Sequence, residues 1–188
     1  MKRFVTAPLN SVVTALFFSI AAGPLAAQSQ DTQIDALLER LATPELAEWE
    51  TIERQLGRLW SQSGSPAMDL LLKRGRDALE AQEFVAAIDH LTALTDHAPE
   101  FAEGWNARAT AFFANDQYGP ALADVERVLA LEPRHFNALQ GLGLIMQELG
   151  QSDLALRAFE MALAIHPNDP DLKQMLERLD AEAGDVDI

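Results

Sequence analysis

From Ile34 onward the apolar residues of this chain recur at the three-and-four spacing of amphipathic helices, segment after segment. Ile34, Leu37, Leu38 and Leu41 mark one face of a first helix, and Leu46, Trp49, Ile52, Leu56, Leu59 and Trp60 mark a second. Thr43-Pro44-Glu45 supplies the break between them: a capping hydroxyl, a proline where a helix's first turn lacks no donor, and an acid near the positive helix end. The second helix is therefore predicted to start at Pro44, and the pair to form a hairpin over residues 28–67. Ser61 to Ser65 reads as a loop, and Pro66 opens the next helix.

The pattern then becomes periodic. Pro99, Pro133 and Pro167 fall 34 residues apart, and Ala87, Ala121 and Ala155 keep the same interval ahead of them. This register defines units at residues 68–101, 102–135 and 136–169, each a helix, a turn and a helix. The turns are Ala81-Gln82-Glu83, Asn115-Asp116-Gln117 and Gly150-Gln151-Ser152. Pro120 falls in the first turn of its helix, where a missing N–H costs little. A unit this small cannot bury its own apolar face, so the three must stack. Continued backwards, the register places Glu53 where the small alanine belongs, which makes the hairpin a degenerate repeat or an N-terminal cap. Residues 170–188 read as a capping helix, with Leu172, Met175, Leu176 and Leu179 turned to the stack, and an acidic tail.

Within each unit the order of sizes resembles the tetratricopeptide repeat. A bulky residue stands at Leu71, Trp105 and Leu139, a small one at Gly75, Ala109 and Gly143, and a further position holds Ala78, Phe112 and Met146. Ala87, Ala121 and Ala155 precede Leu91, Val125 and Phe159 by four residues, and the prolines close the units. Arg74 and Arg108 replace the leucine of the family pattern, and Ala78 is undersized. The resemblance implies an all-α, right-handed α-solenoid of helix-turn-helix repeats, with a concave face lined by the first helix of each unit. Small residues are expected where helices approach closely, so enlarging Ala121 or Ala155 overpacks the stack. Gly141 and Gly143 both read as packing glycines inside a helix.

Residues 1–27 differ in character. Lys2 and Arg3 are followed by no charged residue before Asp31, an apolar run extends from Val12 to Ala22, and Gly23-Pro24 then precedes Leu25-Ala26-Ala27. This three-part design reads as a secretory signal cleaved before Gln28. The chain has no cysteine, which excludes disulfides, thiol catalysis, cysteine-bound metals and a lipidated cysteine anchor. Export without disulfides points to the bacterial periplasm, with no stable membrane insertion after cleavage. The net charge is −15, and loss of Lys2 and Arg3 with the signal leaves it near −17. A surface this acidic repels nucleic acid and anionic lipid, so a neutral or basic protein is the expected partner.

Motifs for chemistry are sparse. His90, His97, His135 and His166 do not share the close helical spacing of a zinc site, and the last three, near the ends of second helices or in the loops after them, read as helix-end histidines near terminal carbonyls. No nucleophile elbow or phosphate-cradling loop occurs. The expectation is a non-catalytic protein–protein interaction module, an adaptor or scaffold, with no cofactor and no metal. Its concave positions are Asp69, Leu72, Arg76 and Leu79 in the first unit, Glu103, Asn106, Thr110 and Phe113 in the second, and Asn137, Gln140, Leu144 and Gln147 in the third. Arg76, Asn106, Thr110, Phe113, Asn137, Gln140 and Gln147 are the candidate contacts for a peptide. The clamp with which some family members hold a chaperone's C-terminal carboxylate is absent, because Leu72, Ala107 and Gly141 stand where it needs polar or basic side chains. The alternative is a structural subunit of an envelope complex that meets partners through its convex face or the Trp49 and Trp60 hairpin.

Overall fold

The computed structural model describes residues 23–186, so the signal read in residues 1–27 falls almost wholly outside the described residues. Among them nine α-helices follow in order and no strand occurs: α1 Gly23–Leu41, α2 Trp49–Trp60, α3 Pro66–Glu80, α4 Phe84–His97, α5 Ala102–Ala114, α6 Tyr118–Leu131, α7 Phe136–Glu148, α8 Ser152–Ile165 and α9 Pro170–Val186. Helices α3 to α8 pair into three antiparallel hairpins that stack as an all-α solenoid, and α9 closes the end with Leu172 and Leu179 buried.

Each turn between paired helices uses the same device. Gln82, Asp116 and Gly150 occupy equivalent positions with φ of 60°, 56° and 70°, the left-handed conformation in which a helix is stopped. The next residue's N–H then reaches back five positions to a carbonyl: Glu83 to Ala78, Gln117 to Phe112 and Gln151 to Met146, all at 2.8 Å. Only the third unit places a glycine where the backbone is best served by one.

Small residues stand where paired helices touch. A Cβ added to Gly75 would lie 2.5 Å from Leu91 Cγ, and one added to Gly143 would lie 2.3 Å from Phe159 Cε1. The equivalent pair in the second unit is Ala109 with Val125, a larger first partner against a smaller second one. Ala87, Ala121 and Ala155 have no exposed surface at all. Arg108, the departure from the family leucine, is accommodated by charge rather than by packing. Its guanidinium donates to both carboxylate oxygens of Asp124 at 2.7 and 2.8 Å and to Thr95 Oγ1 at 2.8 Å, and it lies over the Trp105 ring. It thereby ties α4, α5 and α6 together.

The N-terminal hairpin departs from expectation twice. α2 begins at Trp49 rather than at Pro44, and Glu45 has φ 57°, outside the right-handed helical region. Long-range hydrogen bonds overrule the local start signal: the Leu46 N–H donates to Asn168 Oδ1 at 3.2 Å, and Asn168 Nδ2 donates to the carbonyl of Thr43 at 2.8 Å. Nor does the hairpin stack on α3 as a cap or a degenerate repeat would. It lies across the loops that follow α6 and α8, where Ile34, Leu38, Leu41, Ile52, Leu56 and Trp60 form a cluster with Phe136, and Ile165 packs against it. Glu53, in the small-residue position, sets its carboxylate 3.9 Å from His166 Nε2. Leu70 on α3 is left 47% exposed.

Candidate functional site

The inner helices α5 and α7 bound a cavity of about 320 Å³. Asn106, Thr110 and Phe113 descend one side at i, i+4 and i+7, the spacing of a single helical face, and Asn137, Gln140 and Leu144 face them from α7. Ala109, Val125, Gly141 and Ile145 complete the lining, so no charged side chain takes part. Five of the seven residues expected at the groove therefore meet around one space.

Their hydrogen-bonding capacity is only partly used. Thr110 Oγ1 donates to the Asn106 carbonyl at 3.0 Å, as a mid-helix threonine does, and Asn106 Nδ2 donates to Glu103 Oε2 at 3.3 Å. Gln140 Nε2 approaches Met175 Sδ at 3.8 Å, a weak contact. Asn137 is exposed and its side chain makes no hydrogen bond to the described residues. The Phe113 ring leans on Tyr118, with centroids 5.6 Å apart.

Arg76 and Gln147 do not join this group. Arg76 donates to Ser61 Oγ at 2.9 Å and pairs with the Glu103 carboxylate, so its charge serves the internal structure. Gln147 lies outside the cavity lining. Leu72, expected to offer apolar contact, is 2% exposed and belongs to the core.

Glu103 was expected to face the groove, yet it is buried at the centre of an ion network. His135 Nε2 lies 3.0 Å from its Oε2, and Arg76 holds the other oxygen. Burial pushes the Glu103 carboxyl up, but the hydrogen bond and charge of His135, together with Arg76, outweigh it and hold the group below its ordinary value of 4.5. His135 does not meet helix-terminal carbonyls as expected. Its Nδ1 accepts from the Ala138 N–H at 3.3 Å and caps α7, while its ring stacks on Trp60 at 4.3 Å. His166 is fully buried between the edges of Trp49 and Phe136, and neither ring nitrogen has a hydrogen-bond partner. Among the described residues no group of three or more His, Asp or Glu side chains is placed to hold a metal. Trp60 is 7% exposed, so the hairpin tryptophan proposed as an external contact is spent inside the molecule.

Tetratricopeptide repeat models match residues 72–119 and 107–180, covering the three stacked units and part of α9. A TPR repeat-containing protein of Rhizobium etli is 35% identical over 147 residues, which cover 78% of this chain and 71% of that protein. The chain belongs to the tetratricopeptide repeat family. Among solved structures, the TPR domain of Sgt2 from Aspergillus fumigatus aligns with a TM-score of 0.62 at 26% identity, over 65% of this chain and 83% of that one. The first TPR of Spaghetti (RPAP3), in complex with an HSP90 peptide SRMEEVD, aligns at 0.61 and 22% identity, over 64% of this chain and 95% of that one. Other TPR relatives are local matches. The Hsp70-Hsp90 organizing protein of Triticum aestivum is 30% identical over 100 residues, 53% of this chain but 17% of its own length.

One groove residue had been misassigned. Gly141 reads in sequence as a packing glycine beside Gly143, yet a Cβ built on it meets nothing within 4 Å and would point into open space. The TPR register held a signal: Gly141 is equivalent to Lys73 and Ala107, so the fold makes no demand for glycine there.

Proposed function

We propose that this protein is a non-catalytic interaction module that binds a peptide or protein segment in the concave groove between α5 and α7. The observation that carries it is the uncharged cavity in which Asn106, Thr110, Asn137 and Gln140 surround apolar walls. Such a mixture orients a chain by hydrogen bonds while burying a side chain. Solved relatives support the class of activity, since the first TPR of Spaghetti (RPAP3) is bound to an HSP90 peptide. The acidic ending of that peptide does not fit this groove, which offers no lysine or arginine; the nearest candidate, Arg76, is neutralised by Glu103.

The test is partner capture by cross-linking in the native compartment. Asn106→Ala with Asn137→Ala is expected to lower recovery of the cross-linked partner at least tenfold, and Gln147→Ala is expected to leave it unchanged. Retained capture by the double variant moves the contact to an outer surface. We further propose export to a bacterial periplasm, supported by the charged start and apolar run before Gly23. N-terminal sequencing of the periplasmic form is expected to begin at Gln28, and recovery with Met1 intact from the cytoplasm overturns this.

A further inference from the structure

The hairpin lies across the loops that follow α6 and α8, and where it meets the equivalent loop after α4 a second cavity opens, of about 680 Å³. Ile34 and Trp60 wall it on the hairpin side and Phe101 on the repeat side. The repeat wall is fixed in place: Trp105 Nε1 and the Arg127 guanidinium both donate to the Pro99 carbonyl, at 3.0 and 3.1 Å, and Arg127 also holds Glu100 at 2.8 Å. The repeat pattern alone does not build this space, because one of its walls is the hairpin.

Its charged lining is of one sign. Asp31, Glu100, Glu103 and Glu132 all contribute, and no lysine, arginine or histidine does. Two of these carboxylates are already matched, Glu100 by Arg127 and Glu103 by Arg76 and His135. The other two are not. Asp31 on α1 has no ionic partner among the described residues, and Glu132 has Arg134 at 3.9 Å, shared with Asp35. Glu132 is also the C-cap of α6, where the negative helix end adds to its own charge. Trp60 is 7% exposed and its Nε1 has no acceptor, so the same wall includes a residue with an unpaired buried donor.

We infer that this cleft takes an arginine side chain from an extended segment of a partner protein, its guanidinium between Asp31 and Glu132 and its aliphatic stem against Ile34, Trp60 and Phe101. Charge complementarity names the occupant: an apolar-walled cleft with unmatched carboxylates, on a chain of net charge −15, draws a cation. Arginine suits it better than lysine, because a planar fork can address two carboxylates and lie along aromatic walls, whereas an ammonium is a compact, strongly hydrated charge. An extended segment also brings main-chain carbonyls, acceptors of the kind that Trp60 Nε1 lacks. Since Asp31 belongs to the hairpin and Glu132 to the repeats, the same contact clamps the two together. The site is separate from the groove between α5 and α7 and does not depend on it.

The test is an NMR titration of the intact, isotope-labelled protein with three probes: a blocked peptide of one arginine flanked by glycines, its citrulline counterpart, and spermidine. The arginine peptide is expected to shift the amide signals of Asp31, Phe101 and Glu132 and the Trp60 indole N–H. Citrulline keeps the shape and removes the charge, so its peptide is expected to bind about tenfold or more weakly. Asp31→Asn is expected to weaken the arginine peptide by a similar factor. Asp31 is exposed and without an ionic partner, so that variant keeps the wild-type Tm and the loss is one of binding. Asn106→Ala, in the other cavity, leaves the affinity unchanged. Equal binding of the arginine and citrulline peptides, shifts confined to the groove between α5 and α7, or no shift at all overturns the inference. Spermidine binding more tightly than the arginine peptide assigns the cleft to a small polyamine and overturns it as well.

Discussion

Gly143 and Phe159 meet at the tightest helix contact of the third unit, and the same contact is solved three ways along the chain: Gly with Leu, Ala with Val, and Gly with Phe. The pairing predicts a reversal of sign. In the wild-type background Gly143→Ala gains about 1 kcal/mol of helix propensity but forces the Phe159 ring aside at about 1–3 kcal/mol, so it destabilises. In a Phe159→Val background, which mimics the second unit, the same substitution stabilises. Urea denaturation of the four proteins in the cycle measures this, and equal effects in both backgrounds refute the size compensation. At this scale the small positions were legible, because 34-residue spacing exposes them without any structure. The role of Arg108 was not: its partners Thr95 and Asp124 lie 13 and 16 residues away on two other helices. The sequence shows only that a leucine is missing. Gly141 was misread for a related reason, since two glycines two residues apart look alike until one knows which of them faces a neighbouring helix.

Helices and turns followed the period closely within the repeats, where every signal agrees. Outside them, local chemistry was outvoted. Thr43-Pro44-Glu45 carries a sound start signal, yet the chain there forms turns because Asn168 engages Leu46, Thr43 and Leu41 from more than 120 residues away. No window of sequence contains that competitor. The consequence is testable at the level of this element. Asn168→Ala leaves the Leu46 amide and two carbonyls without their partner, at a cost of about 1–3 kcal/mol. Hydrogen exchange should quicken at Leu46 and through α2, with protection in α5 to α8 retained. Uniform loss of protection across all helices contradicts the separate seating of the hairpin.

For the molecule as a whole, the hairpin's seat also holds the buried Glu103, His135 and His166. Glu103 is held below its ordinary 4.5 by His135 and Arg76, so its contribution to stability is present above that value and fades as pH falls through the lowered folded value. Glu103→Gln is expected to cost about 1.5–3 kcal/mol at pH 7 through loss of charged hydrogen bonds. Thermal melts of both proteins from pH 7 to pH 3 should show that gap narrowing below 4.5; a gap that stays constant through this range removes Glu103 from the acid response. Stacking was legible at this scale because repetition is a whole-chain property, whereas the hairpin's placement was not, since amphipathic helices advertise a buried face without naming what buries it. That placement also sets an order of events. Ile34, Leu38, Ile52 and Leu56 emerge from a ribosome or a translocon before the repeats do, but their resting place needs Phe136, Ile165 and Asn168, which belong to the third repeat. The hairpin must therefore wait, greasy side uncovered, until the third repeat has arrived to receive it.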